Sequence, residues 1–213
     1  MKALFYTDFE KQFIPSIIKE VWIDAIYKSY LEGMKDLTII DAGANIGLVS
    51  QYFIPYAKKI YAVEPTAQHF DCLKKTVDFN KWENIEPIKL AFADKCGKVQ
   101  MAIQHGNLTM HSLFNYENSD EFEEVEAVTL EKFIEDREIE QVDLLKLDIE
   151  GEEFKVLYDD SFKRIVDKIK AIVYETHWFG GKPEELQEYL EGLGYQVFRL
   201  PTSADCFLAI RNA

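Results

Sequence analysis

The 213-residue chain is long enough to enclose one sizeable hydrophobic core and sits at the upper edge of a single ordinary domain. Apolar residues make up 47% and charged residues 29%, a globular balance that excludes a disordered or fibrous protein. Lys and Arg number 24 against 38 Asp and Glu, a formal net charge of -14, so the surface repels phosphate backbones and anionic lipid and nucleic acid is not expected as a partner.

Residues 1–35 read as a helical lead-in: Ile14, Ile17, Ile18, Val21, Trp22, Ala25 and Ile26 recur at helical spacing, with Ser16 as the candidate N-cap. Residues 36–213 read as the main domain. Apolar runs at 37–40, 59–63 and 87–92 predict strands, separated by helical stretches from Leu48 to about Tyr56 and over 66–80, where Phe70, Cys72, Leu73 and Val77 share the apolar side. Two further strands are expected at 98–104 and 121–128, joined by a polar loop over 105–120. Thr129 then opens a short helix, a strand spans 142–149, and a helix starts near Glu152. A strand at 171–175, a helix from Pro183 to Gly192 or Gly194, and a closing strand pair at 195–200 and 206–210 complete the order. Strands alternating with helices predict a mostly parallel sheet covered on both faces, with its ligands at the carboxyl ends of the strands.

Cys72, Cys96 and Cys206 form no C-x-x-C pair and read as small buried apolar residues of a reducing compartment. No run of about 18 apolar residues exists to span a membrane, and the N-terminus lacks a signal-peptide core. The expected address is the cytoplasm.

The first strand runs into Asp41-Ala42-Gly43-Ala44-Asn45-Ile46-Gly47. A glycine loop between strand and helix suits an adenosine cofactor, since glycine lets backbone approach a ligand closely. The dinucleotide pattern G-x-G-x-x-G is absent, because Asn45 stands where a second glycine would meet a pyrophosphate, and no Gly-Lys-Ser/Thr phosphate loop follows. The loop therefore fits a nucleoside cofactor without phosphate, and S-adenosylmethionine meets that description. Glu64, ending the second strand, is placed to accept the ribose hydroxyl hydrogens. Asp41 is placed to orient the amino end of the methionine portion, directly or through water, and Phe92, after the third strand, to border the adenine.

Lys146, Asp148 and Glu150 alternate along a strand otherwise made of Leu and Ile, and alternation puts them on one side. Charges in a strand covered on both faces are costly unless paired or at a wet strand end. Val173, Glu175 and His177 repeat the pattern on a later strand, so Lys146, Asp148, Glu150, Glu175 and His177 are expected at one crevice. Methyl transfer to a hydroxyl requires an acceptor oxygen held about 3–3.5 Å from the methyl carbon and a base to take its proton. His177 titrates near neutrality and is one candidate base; Asp148 is the other. Lys146 would hold carboxylate charges in place or fix the acceptor. Asp148, Glu150 and His177 form a conceivable metal-donor set, but no ligand-spacing motif supports a metal and none is expected.

The segment Val142-Asp143-Leu144-Leu145-Lys146-Leu147-Asp148-Ile149-Glu150-Gly151-Glu152-Glu153 resembles the hallmark of the FkbM-type methyltransferase family. The run from Ile40 to Gly47, the Glu64-Pro65 pair and Tyr174-Glu175-Thr176-His177 are similar to that family's other elements, and the likeness extends from about Thr38 to Gln196. It implies a doubly wound, seven-stranded Rossmann-like methyltransferase fold with an antiparallel C-terminal strand. It also implies S-adenosylmethionine as methyl donor, contacts to it from Asp41, Gly43, Gly47 and Glu64, and O-methylation of a sugar, glycolipid or other natural product. The lead-in and the 105–120 loop, His111-Ser112 included, would set acceptor specificity.

Three rivals stand beside this reading. A nitrogen methyltransferase is disfavoured because Asp148-Ile149-Glu150-Gly151 stands where an Asn/Asp-Pro-Pro-aromatic element is usual. A nicotinamide-dependent oxidoreductase lacks its pyrophosphate glycine. A non-catalytic nucleoside-binding domain would not need Asp148, Glu150 and His177.

Overall fold

A computed structural model of the chain describes residues 3–7, 14–103, 121–177, 180–202 and 204–211. The first half comprises α1 (Ile14–Ile18), α2 (Lys28–Leu31), β1 (Leu37–Ala42), α3 (Leu48–Phe53), β2 (Ala57–Val63), α4 (Ala67–Asn80), β3 (Ile85–Ile88), β4 (Ala91–Phe92) and β5 (Gly97–Ile103). The second comprises β6 (Glu121–Val128), α5 (Leu130–Asp136), β7 (Leu144–Leu147), α6 (Glu153–Tyr158), α7 (Asp160–Ile165), β8 (Ala171–Glu175), α8 (Pro183–Gly192), β9 (Tyr195–Arg199) and β10 (Cys206–Arg211).

The main sheet has seven strands in the order β3-β2-β1-β7-β8-β10-β9. β3, β2, β1, β7 and β8 pair in parallel, and β10 runs antiparallel to both of its neighbours. This is the expected doubly wound arrangement with its antiparallel C-terminal strand. Successive strand residues feed opposite faces, as the period of two requires. Ile40, Leu145 and Ile172 pack with α5–α8, whereas Ile39, Leu144 and Val173 pack with α2, α3 and α4. Strand order reverses between β1 and β7, and the crevice at such a reversal is where open sheets bind ligands.

β4, β6 and β5 form a second, three-stranded sheet over Met101, Val125 and Ala127. It is fastened to α4 by Glu123. Both Glu123 carboxylate oxygens accept the Ala67 backbone N–H at 3.0 Å, and Lys89 Nζ lies 3.1 Å from the same group. An acid from another sheet thus neutralises the positive end of this helix. Among the described residues, no helix is long and apolar enough to cross a membrane.

Several expectations need correction. The lead-in is not one helix: residues 3–7 are non-helical, α1 runs into a π-helical turn over Lys19–Ile23, and Ala25 breaks the path at φ 54°. Residues 3–7 instead follow α4, where Leu4 and Asn80 exchange hydrogen bonds and Tyr6 N–H donates to Thr76 Oγ1. Ser16 lies inside α1 and is not its N-cap. The third strand is split, with β3 in the main sheet and β4 pairing with β6 in the small one. The strand expected over 142–149 is regular only across Leu144–Leu147. Phe70 is only half-buried, and Cys96 is exposed, whereas Cys72 and Cys206 are buried. Gln104, the 105–120 loop and His111-Ser112 lie outside the described residues.

Candidate active site

The carboxyl ends of β1, β2, β7 and β8 open into one cavity of about 450 Å³, within the range of small-molecule sites. Gly43, Asn45, Glu64, Phe92, Lys146 and Asp148 line it, and so do Glu150, Glu175 and His177. The strand register explains the first contact. Asp41 on β1 sits opposite Lys146 on β7, and their side chains meet at 3.3 Å with Asp41 wholly buried. Lys146 Nζ also donates to the carbonyls of Ala42 and Gly43 at 3.1 and 2.8 Å and lies 3.5 Å from Asp148 Oδ2. Burial opposes its charge, but Asp41 and Asp148 outweigh burial and hold the ammonium above the ordinary lysine range. Lys146 is therefore a fixed cation tying the glycine loop to two carboxylates. Asp41 accepts from Ser50 Oγ at 2.5 Å and lies behind the cavity wall rather than on it.

Gly43 has φ 77°, and a Cβ there would fall 1.8 Å from the Asp148 carbonyl oxygen. The glycine is required first by the close approach of the β1 and β7 strand ends, which is a packing demand in addition to any ligand approach. Gly47 likewise has φ 91° and backs onto Leu73.

Glu64 is buried at the end of β2. Its Oε2 accepts Asn45 N–H at 3.0 Å, and its Oε1 accepts Thr66 N–H at 3.0 Å and the Thr66 hydroxyl at 2.7 Å. His69 Nδ1, one turn into α4, lies 3.6 Å from Oε1. Burial would raise the carboxyl pKa, yet His69 and the Thr66 donors hold it below the usual value. A carboxylate offers about four lone-pair positions, and among the described residues Oε2 takes one hydrogen bond, from Asn45 N–H, where Oε1 takes two from Thr66. Phe92 is buried against Phe133, ring centroids 5.1 Å apart, while also reaching the cavity wall.

The opposite end of the cavity is built differently. After Leu147 the chain leaves the strand, and Glu150 takes φ 56° in a turn closed by Gly151. That turn, not strand alternation, carries Glu150 to His177, whose Nε2 lies 3.4 Å from Glu150 Oε2 and 3.9 Å from Glu175 Oε1. On its other side His177 Nδ1 faces Glu153 Oε1 at 3.4 Å. Glu153 is fully buried, and its two oxygens accept the Ile149 and Gly151 N–H groups at 2.7 and 2.9 Å.

Burial would depress the His177 pKa, but Glu153, Glu150 and Asp148 push it up to about 9. These carboxylates favour the protonated imidazole over the neutral base expected near pH 7. Burial and the Asp148 charge push Glu150 up to about 9 and Glu175 up to about 8.

The broken lead-in, expected to set acceptor specificity, supplies one wall of the cavity, and Glu20 and Tyr27 in it were not singled out from the sequence. Ile17, Glu20, Val21, Ile26 and Tyr27 line the cavity. Glu20 Oε1 accepts from Thr202 at 2.8 Å and lies 3.8 Å from Cys206 Sγ, which is itself 3.7 Å from Glu175. Glu20, His69 and Glu153 were missed because each reaches the site from an element whose docking is non-local. A Glu three residues after the Glu150 turn, in the first turn of α6, was the one usable signal for Glu153.

Comparison with known proteins places these features. A family model described as methyltransferase FkbM domain matches residues 41–197. The protein named methyltransferase sdnD of Sordaria araneosa is 27% identical over 225 residues, covering 89% of this chain and 84% of the relative. Among solved structures, the precorrin-6y C5,15-methyltransferase of Geobacter metallireducens superposes with a TM-score of 0.52 at 14% identity, covering 89% of this chain and 88% of that one. The M. capricolum protein TrmK, solved with S-adenosyl-homocysteine, gives 0.51 at 12% identity, covering 88% of this chain and 66% of that one. Likeness at these identities is a likeness of fold.

Proposed function

The chain belongs to the methyltransferase FkbM domain family, and from that premise we propose that it moves the methyl group of S-adenosylmethionine onto a hydroxyl oxygen of a small molecule: a sugar, a glycolipid or another natural product. The observation that carries this reading is the single cavity with a satisfied, hydrogen-bonded Glu64 at one end and Asp148, Glu150, Glu175 and His177 at the other. At the first end Glu64 Oε2 accepts a ribose hydroxyl, the Gly43–Ile46 backbone faces the methionine portion while Gly47 stands behind the cavity wall, and Phe92 borders the adenine. Asp41 acts through Lys146 and the loop carbonyls that Lys146 holds. The donor brings a sulfonium, and an anionic wall favours its binding.

In the transfer the acceptor oxygen forms a bond to the methyl carbon as the carbon–sulfur bond breaks, and sulfur keeps that electron pair. The hydroxyl proton passes to the carboxylate of Asp148, since Glu150 and Glu175, raised to about 9 and 8, already hold their protons near neutrality, and His177 serves as the cation beside these acids. In this reading residues 1–35 complete the site of a single-domain cytoplasmic enzyme by supplying the wall that carries Glu20. The test is incubation with methyl-labelled S-adenosylmethionine and a panel of hydroxyl-bearing glycans, glycolipids and small natural products, followed by mass spectrometry. Label on oxygen is expected; label confined to nitrogen or carbon, or none with any donor-bound protein, sinks the proposal.

A further inference from the structure

We propose that Asp148, Glu150 and His177 form a divalent-cation site at the acceptor end of the cavity, taking a Mg²⁺- or Mn²⁺-class ion that binds the acceptor hydroxyl. One ligand atom from each of the three lies within 4.8 Å of the others, and all three side chains are half-buried at the cavity wall. Ligands on an octahedral ion at about 2.1 Å stand roughly 3 Å apart when adjacent and 4.2 Å apart when opposite. At most one of the three pairs can stand opposite, so a pair at the 4.8 Å limit closes by about 0.6 Å if opposite and about 1.8 Å if adjacent, a movement that side-chain rotation supplies. Two carboxylates and one imidazole suit hard to borderline divalent ions.

The surroundings of His177 supply an independent argument. Metal-bound imidazoles present one nitrogen to the ion and the other to a buried carboxylate or carbonyl, which fixes the ring. Here Nδ1 faces Glu153, a fully buried carboxylate locked by two backbone N–H groups, and Nε2 is turned toward Glu150 and the cavity; an ion taken at Nε2 displaces the proton that the carboxylates otherwise hold there, so binding releases a proton and tightens as pH rises. Lys146 engages one Asp148 oxygen, Oδ2, which leaves Oδ1 to face an ion. Glu175 stays beside the three donors, 3.9 Å from Nε2, as the neighbouring carboxylate not spent on the ion. An ion held here lowers the pKa of a hydroxyl that coordinates it, as metals do for bound water. Glu153 is then a positioning residue that acts through His177.

The inference rests on the methyltransferase reading only for the identity of the acceptor group. The experiment is a Mn²⁺ titration of the chelator-treated full chain followed by electron paramagnetic resonance, with S-adenosyl-homocysteine binding measured in parallel by calorimetry. One ion per chain is expected, with nitrogen modulation in the electron spin echo. Glu150→Gln and His177→Ala should each weaken Mn²⁺ at least tenfold, and His177→Ala should also abolish the nitrogen signal. Glu153→Gln should weaken Mn²⁺ while retaining that signal with an altered coupling. Circular dichroism checks that each variant is folded, and the nitrogen signal of the unaltered protein needs no variant at all. Mn²⁺ that does not bind at millimolar concentration, or binds without nitrogen modulation, overturns the site whether or not S-adenosyl-homocysteine binds. Mn²⁺ binding with nitrogen modulation but no S-adenosyl-homocysteine binding supports the site and removes the methyltransferase reading instead.

Discussion

At the Glu64 end of the cavity, buried charges are balanced by the fold itself. Lys146 serves Asp41 and the loop carbonyls, and His69, Thr66 and Asn45 serve Glu64. At the His177 end, Asp148, Glu150, Glu153 and Glu175 crowd around one imidazole, and burial together with mutual repulsion drives Glu150 and Glu175 well above the carboxylate range. The first end is finished before anything binds. The second crowds acids whose repulsion is relieved by bound protons or by a cation. In the proposed reading, the rigid end suits a donor that is the same every time, and the chemistry falls to the end whose charges the fold leaves unsettled.

The contrast can be broken most forcefully at Lys146. Lys146→Met leaves Asp41 buried and uncompensated, and stability should fall by about 3–5 kcal/mol in urea unfolding; a loss below about 1 kcal/mol would contradict the balanced-charge account. Glu64→Ala should weaken S-adenosyl-homocysteine binding by roughly 10- to 100-fold, the worth of about 1.5–3 kcal/mol for a hydrogen bond to a charged group. Calorimetry reads it, and an unchanged affinity removes the ribose role. Thr129→Ala lies at neither end. It deletes the N-cap that accepts the Lys132 N–H of α5 at 3.2 Å and should cost about 1 kcal/mol with no change in ligand affinity.

The smallest effect is one of sign, measured with chelator present. Glu64 has a folded pKa below its ordinary value, so its stabilisation is present above about pH 4.5 and is lost as pH falls through the lower folded value. Glu175 is raised to about 8, so its stabilisation is complete below pH 4.5 and declines as pH rises toward 8. Subtracting the pH–stability curves of Glu64→Gln and Glu175→Gln from that of the unaltered protein should give slopes of opposite sign. Equal signs would mean that the two ends of the cavity are not differently charged.

The strand-end logic was readable because it is local. The buried run before Asp41, the pair Glu64-Pro65 and the alternating Lys146 and Asp148 each announce a charge at the tip of an apolar strand. Strand–helix alternation pointed to a mostly parallel sheet covered on both faces, while its seven strands and antiparallel C-terminal strand came from the family resemblance. What escaped was whatever depended on distant partners. The run from Pro87 to Phe92 looks continuous, yet pairing of Ala91 and Phe92 with β6 draws its end into another sheet. Ile14 to Ile26 keeps helical spacing, yet its apolar residues are divided between core and cavity, and the chain breaks at Ala25 to serve both. His69 looked like an ordinary helix residue, and the place of Glu153 just after the Glu150 turn hinted at its hold on that turn but not at the imidazole of His177 that it meets.

The small sheet has a practical consequence. Ile103, where β5 stops, is paired directly with Glu121, where β6 starts, and Glu123 anchors that doorway to Ala67. Whatever stretch of chain is inserted between 103 and 121 begins and ends on cross-strand neighbours. Doubling its length adds only about 0.6 kcal/mol of closure entropy, and none of that cost is borne by β1, β2, β7 or β8. The molecule thus has a ready-made splice point, through which segments can be exchanged while the strands of the main sheet keep their places.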